Sequence, residues 1–311
     1  TTITAVSTDP EGFPLTWSYA VTSGSLGSTA TVSQADNVFT ITPSSTVADA
    51  GTFSITFSVT DGTTGAVQTV SAFSLSFGFD LTNAAYDNLS FSVYSQDTAP
   101  TGLAFNSDGT KMFVLGGSGD DVNQYSLTNG FSLAANNVSY DNLSFSVASQ
   151  ETSPTGLAFN SDGTRMFVVG ASSDAVHQYS LTNGFSLATG NVTYDNINFN
   201  VASQDTAPQD LTFNSDGTKM FVVGTGDAVY QYSLTNGFSM AAGNVTYDNL
   251  SFSVASQDTV PLGFTFNSDG TRMFVVGSSG DAVYQYSLTN GFSMAAGNVT
   301  YDNLSFSVAS Q

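Results

Sequence analysis

The sequence predicts an all-β chain of 311 residues, with a β-sandwich module over 1–78 followed by tandem four-stranded repeats over 86–311. Three observations lead there. The string FNSDGT recurs at Phe105, Phe159, Phe213 and Phe266, at spacings of 54, 54 and 53 residues. A second string, YDN followed by an alternating apolar run, recurs at Tyr86, Tyr140, Tyr194, Tyr247 and Tyr301, so four full repeats carry five copies of one strand. Aromatic residues make up 13% of the chain, with 25 Phe and 13 Tyr, which favours strands and is too apolar for a disordered chain.

One repeat shows how each strand is justified. Thr155 to Phe159 reads as a first strand, and Asn160-Ser161-Asp162-Gly163 as a tight turn with Gly where positive φ is needed. Met166 to Val169 is a four-residue apolar run suited to a strand buried on both faces, and Val176 to Leu181 is a third strand. Asn183-Gly184 signals a two-residue hairpin, after which Ile197, Phe199 and Val201 alternate as a fourth, outer strand. Four antiparallel strands in 54 residues is the size of one β-propeller blade.

The residues of this unit carry a resemblance. The pattern PTGLAFNSDGTKMFVLG from Pro100, with VNQYSL from Val122, resembles NHL and TolB-like propeller blades, and with YDNLSFSVASQ it is similar to repeats in large structural proteins of marine phages and bacterial surfaces. Residues 1–78 lack both strings. Their segments ITAVSTDPEGFPLTWSYAV and FSITFSVTDGTTGAV resemble a cadherin-like, dystroglycan-type immunoglobulin-like domain. That resemblance implies calcium at Asp9, Glu11 and Asp61, although Phe13 stands where the family often has another acid. Trp17, the only Trp, is expected in the core, and residues 79–85 as a short joint, since no Gly-, Ser- or Pro-rich run is present.

Charge narrows the partners. Twenty-five acidic residues against four Lys and Arg give a net charge of -21, which repels nucleic acid and anionic lipid, suits divalent cations, and keeps a strand-rich chain soluble. Cysteine is absent, which removes disulfides and thiolate metal sites, and no apolar run is long enough for membrane insertion. The sequence opens at Thr1 on a strand-like run without a leader, as expected of a processed chain or part of a longer one.

Candidate chemistry is sparse. His177 is the sole histidine, and Asn123, Tyr230 and Tyr284 occupy its place in the other repeats, so a general-base role is not expected. Lys111, Arg165, Lys219 and Arg272 each follow the SDG turn by two residues. They are expected to pair with the turn acids Asp108, Asp162, Asp216 and Asp269, the alternative being a ring of four cations around one anion. Further acids follow the outer strand, at Asp97, Glu151, Asp205 and Asp258, or precede the third strand, at Asp120, Asp121, Asp174, Asp227 and Asp281, without the spacing of an EF-hand loop. Eight N-x-Ser/Thr sequons, at Asn88, Asn137, Asn142, Asn191, Asn244, Asn249, Asn298 and Asn303, are by-products of the repeat that become relevant where the producer glycosylates.

The repeats diverge at Thr101-Gly102, Thr155-Gly156, Gln209-Asp210 and Leu262-Gly263 and in the loop before the third strand. A ligand face is therefore expected to involve Asn123, His177, Gln209, Asp210, Tyr230 and Tyr284, with aromatic side chains suited to sugar. The surplus outer strand admits three explanations: a piece of a longer array, donation of a strand to a neighbouring subunit, or completion of a larger ring in an oligomer. The resulting expectation is a non-catalytic structural or adhesive fibre subunit at an extracellular, cell or virion surface, joined through strand edges. The alternatives are a carbohydrate-binding head on an immunoglobulin-like stalk, meeting a glycan or cell-surface receptor, and a glycan-cleaving enzyme with paired carboxylates in a central funnel. No cofactor other than calcium is expected.

Overall fold

The computed structural model describes residues 2–9, 11–24, 30–43, 51–63, 66–75 and 80–309, which fall into two units, 1–78 and 79–311. Among the described residues of the first unit, alternating apolar residues build six strands: β1 (Thr2–Thr4), β2 (Thr16–Gly24), β3 (Ala30–Ala35), β4 (Val38–Pro43), β5 (Gly51–Thr60) and β6 (Val67–Leu75). They form two three-stranded antiparallel sheets, in the orders β1-β4-β3 and β2-β5-β6. One side of β5, carrying Phe53, Ile55, Phe57 and Val59, is buried, and three of these share a core with Phe39 and Ile41 from the other sheet. Phe39 stacks edge-on against Phe57 at 4.8 Å, and Trp17 packs half-buried at the margin of this core, as expected of it.

The second unit holds four four-stranded antiparallel sheets, and these blades fit a β-propeller. The first blade is β7 (Pro100–Phe105), β8 (Lys111–Gly116), β9 (Asp121–Leu127) and β10 (Val138–Ser146); the second is β11 (Pro154–Phe159), β12 (Arg165–Gly170), β13 (Ala175–Leu181) and β14 (Val192–Asn200). The third is β15 (Pro208–Phe213), β16 (Lys219–Gly224), β17 (Ala228–Leu234) and β18 (Val245–Ser253); the fourth is β19 (Pro261–Phe266), β20 (Arg272–Gly277), β21 (Ala282–Leu288) and β22 (Val299–Ser307). The first strands β7, β11, β15 and β19 neighbour one another in that order and form the inner edge.

The repeated strings each make one local device. In the FNSDGT turn, Asn160 Oδ1 accepts from Arg165 N–H at 2.8 Å, and Asp162 Oδ1 accepts from both the N–H and the hydroxyl of Thr164. Gly163 has φ +71, and a Cβ there would stand 2.3 Å from the Phe185 ring. Gly163→Ala is therefore expected to lower unfolding free energy by about 1–3 kcal/mol in urea titration, through both strain and overlap. A loss no larger than that of an exposed strand substitution would sink this account.

The YDN string is a β-bulge. The register of β13 against β14 slips between the Gln178–Ile197 and Tyr179–Tyr194 pairs, leaving Asp195 and Asn196 unpaired, with Asn196 at φ +56. Asp195 turns back to accept from Gln178 Nε2 at 2.7 Å and the Ser180 hydroxyl at 2.9 Å. Gln178 Oε1 in turn accepts the N–H of Met240 in the next blade at 2.8 Å. Gln124 serves Leu187 and Gln231 serves Met294 in the same way, so the bulge of each blade orients the residue that grips its neighbour.

Two strand-level expectations are corrected. Asn183-Gly184 is not a two-residue hairpin: residues 182–191 separate β13 from β14 and fold back onto the SDG turn, where Phe185 N–H donates to the Gly163 carbonyl. The second Asn of that loop, Asn191, holds it by accepting from Asn183 N–H and donating to the Asn183 and Ser186 carbonyls. Four of the sequon residues, Asn137, Asn191, Asn244 and Asn298, occupy this buried position and are structural. The cations do not pair with the turn acids, whose oxygens are taken by Thr side chains and N–H groups. Arg165 and Lys219 instead reach across to the Phe238 and Phe292 carbonyls of the following blade, while Lys111 pairs with Asp141 at 3.0 Å and Arg272 with Asp80.

Candidate active site

The site expected from repeat divergence separates into two places. Asn123, His177, Tyr230 and Tyr284 stand at one equivalent position on the third strands β9, β13, β17 and β21, beside the buried acid of their own blade. That acid is a latch. Glu151 is fully enclosed and accepts from the N–H groups of Ser153, Ser172 and Ser173 and from both serine hydroxyls. Enclosure pushes its pKa up, but the serine hydroxyls and N–H groups together outweigh this and hold it below the ordinary carboxylate value. Asp97, Asp205 and Asp258 grip the turn between second and third strands in the same way, through Gly119, Gly226 and Gly280 N–H.

His177 sits above this latch, 2.9 Å from the Ser173 hydroxyl and 3.5 Å from Tyr194. Burial pushes its pKa down, against the pull of Glu151, which favours the neutral ring.

Gln209 and Asp210 lie on the inner strand β15. Asp210 replaces the glycine found at the same position in the other blades, Gly102, Gly156 and Gly263. Those glycines leave the room it uses: a Cβ on Gly156 would come within 2.9 Å of Asp210 Oδ1, and one on Gly263 within 3.5 Å of Oδ2. The carboxylate accepts from its neighbour Leu211 N–H at 2.8 Å and from Phe264 N–H of the fourth blade at 3.0 Å. It thereby joins blades three and four as the Thr101 and Thr155 hydroxyls, donating to the Pro154 and Pro208 carbonyls, join the earlier pairs.

Asp210 also faces a cavity of about 470 Å³ at the inner edge, lined mostly by apolar residues, among them Leu103, Leu262, Phe264 and Val276, with Thr101 and Thr265. Its carboxyl is the single charged group of that lining. Enclosure pushes the Asp210 pKa up to about 7, against the pull of the Phe264 and Leu211 N–H groups. The divergence of the inner strand pointed to this residue from sequence alone. Its neighbours and its proton affinity follow from which inner strands lie beside β15.

In the first unit, Asp9 accepts from Glu11 and Phe13 N–H at 2.9 and 2.6 Å, and Asp61 from the Thr63 N–H and hydroxyl, both at 2.8 Å. Among the described residues no three acidic or histidine side chains gather where one metal ion would bridge them.

The chain matches no protein-family model, and no curated protein is similar to it in sequence. Solved structures are similar to it in part. A candidate 6-phosphogluconolactonase of Bacteroides fragilis superposes with TM-score 0.44 at 14% identity, over 99% of this chain and 83% of that one. A second candidate 6-phosphogluconolactonase, of Bacteroides uniformis, gives 0.43 at 13% identity over 94% and 84% of the two chains. The periplasmic gluconolactonase of Pseudomonas aeruginosa gives 0.39 at 15% identity over 80% and 62%. The second unit of this chain is all-β, built of repeated four-stranded blades that fit a β-propeller. Against those neighbours, the expectation of a non-catalytic fibre or adhesin subunit is corrected. The sequence reading ranked an enzyme last because it sought a catalytic histidine or paired carboxylates, and it placed Asp210 on a ligand face without giving it a catalytic role.

Proposed function

We propose that the inner-edge cavity binds a small, neutral, hydroxylated molecule with a reactive ester or lactone carbonyl, and that Asp210 moves the proton in its hydrolysis. The observation that carries this reading is a lone carboxyl with a pKa near 7 facing a cavity. Such a group is partly ionised at neutral pH, able to take a proton from water attacking a carbonyl and to return it to the leaving oxygen. Glycosidic bond cleavage fits less well, because it ordinarily uses two carboxyl groups and the cavity offers one. A phosphorylated substrate fits poorly too: no Lys, Arg or His lines the cavity, and the chain carries a net charge of -21.

The test is acid release from D-glucono-1,5-lactone above the spontaneous rate, at pH 6–8, with wild type and Asp210→Asn. Removal of a general base is expected to lower the enzymatic rate by about 10²–10⁴-fold. Equal rates for the two proteins, or no acceleration by wild type for this lactone and for neutral esters, would overturn the assignment. The immunoglobulin-like reading of residues 1–78 is consistent with two antiparallel sheets over one core, and calcium at Asp9, Glu11 and Asp61 remains part of that reading.

A further inference from the structure

Each junction between successive blades is covered in one pattern. Phe113, Leu115, Val122 and Val147 of the first blade meet Leu157, Met166, Val168 and Tyr179 of the second, and the same positions recur at the second and third junctions. The two outermost faces lack this cover. On the first blade, Leu103 is 58% exposed, whereas its equivalents Leu157 and Leu211 are 5% and 2% exposed; Phe131 is 62% exposed, whereas Phe185, Phe238 and Phe292 are half-buried. On the fourth blade, Val276, Val283 and Val308 are half-buried, whereas their equivalents Val169, Val176 and Val201 are fully buried. These faces line two adjoining cavities of about 310 and 470 Å³ that share Thr101, Gly102 and Leu103.

Across this slot runs the segment 80–97. At one end Leu81 N–H donates to Gln285 Oε1 of the fourth blade at 2.8 Å, taking the place that Leu187, Met240 and Met294 take on the earlier glutamines, and Asp80 pairs with Arg272. At the other end Phe91 stacks edge-on against Tyr125 of the first blade at 5.7 Å, as Phe145 does against Tyr179 of the second at 5.6 Å. The segment thus occupies the seat of an outer strand, yet residues 84–93 are not paired as one, because no third strand lies beside them. All four glutamines are accounted for, and among the described residues none stands opposite Leu133, the equivalent position in the first blade.

We infer that the slot between the fourth and first blades is the seat of one more three-stranded unit of this chain's own repeat, of the kind formed by residues 151–181, for which 84–93 is the waiting fourth strand. Such a unit offers Leu103 and Leu133 the apolar face that they lack, and offers Val276 and Val283 its own buried residues. Its glutamine falls opposite Leu133 N–H, and its cation opposite the Phe131 carbonyl. The repeat register is met when Glu151 of the copied unit follows Gln311, since Val147-Ala148-Ser149-Gln150 and Val308-Ala309-Ser310-Gln311 coincide. The slot includes the cavity that Asp210 faces, so the added unit covers the apolar end of that cavity; the inference is read from stability, an outcome that does not depend on whether the protein hydrolyses a lactone.

The test compares the 311-residue protein with one carrying a copy of residues 151–181 after Gln311, each with and without Leu103→Arg. The expected result is a monomer in which the added unit raises the melting temperature by about 5–10 °C in one transition, and hydrophobic dye binding falls. Leu103→Arg should erase this gain while leaving the shorter protein's melting temperature within about 2 °C. Added strands that stay protease-sensitive with melting and dye binding unchanged would overturn the proposal. So would a shorter protein that already sediments as a dimer and is made monomeric by Leu103→Arg, which would assign the slot to a second copy.

Discussion

Asp210→Asn is expected to make the protein more stable at pH 9 while leaving stability at pH 5 within about 1 kcal/mol of wild type. The folded pKa, about 7, lies above the ordinary value of 3.8. Its contribution to stability is therefore fully present below about pH 4 and is lost as pH rises through 7, because the unfolded chain then gains more from ionisation than the folded one. At alkaline pH the cost reaches up to about 4 kcal/mol, reduced by whatever water enters the cavity. Asparagine removes that cost and gives up one hydrogen bond to Leu211 or Phe264, about 1 kcal/mol. Urea unfolding at the two pH values measures the difference. A variant destabilised equally at both would show that Asp210 is an ordinary stitch between strands. Loss of hydrolysis together with a gain in stability separates a catalytic role from damage to the fold.

Truncation of one leucine position should have opposite consequences in two blades. Leu211→Ala is expected to cost about 2–5 kcal/mol, because the side chain is 2% exposed within the junction of the second and third blades, and its removal opens a cavity that rigid strands cannot close. Leu103→Ala, at the equivalent place on the first blade, should cost less than about 0.5 kcal/mol. Denaturant midpoints for the pair decide it. Similar losses at both positions would mean that the first blade's face is covered in solution. In the protein carrying the added repeat unit, Leu103→Ala should become costly and approach the Leu211 value.

The repeat made much of this architecture readable. FNSDGT placed four turns, because Asn, Asp and Gly have one low-energy arrangement there, and alternating apolar residues placed the strands on either side. The charge pattern was misread for a definite reason: Lys219 lies beside Asp216 in sequence, but local hydroxyl and N–H donors at Thr218 satisfy the acid first, and the long cationic side chain reaches the next blade's carbonyl. YDN was visible as a motif while its meaning was not. A bulge is defined by the register of a partner strand, and the reach from Asp195 through Gln178 to Met240 spans two blades.

By itself, then, the sequence determined the repeating unit, its strands and turns, and the places where copies diverge, because these depend on interactions within a few residues. Tertiary structure alone decided which divergent residues meet. It put Asp210 between the glycines of two neighbouring strands and raised its proton affinity, whereas His177, the more conspicuous residue, was packed over a buried carboxylate on the third strand of its blade. Solvation and electric field at a group depend on everything packed around it, and those neighbours are assembled by the packing of successive blades from residues more than fifty positions apart.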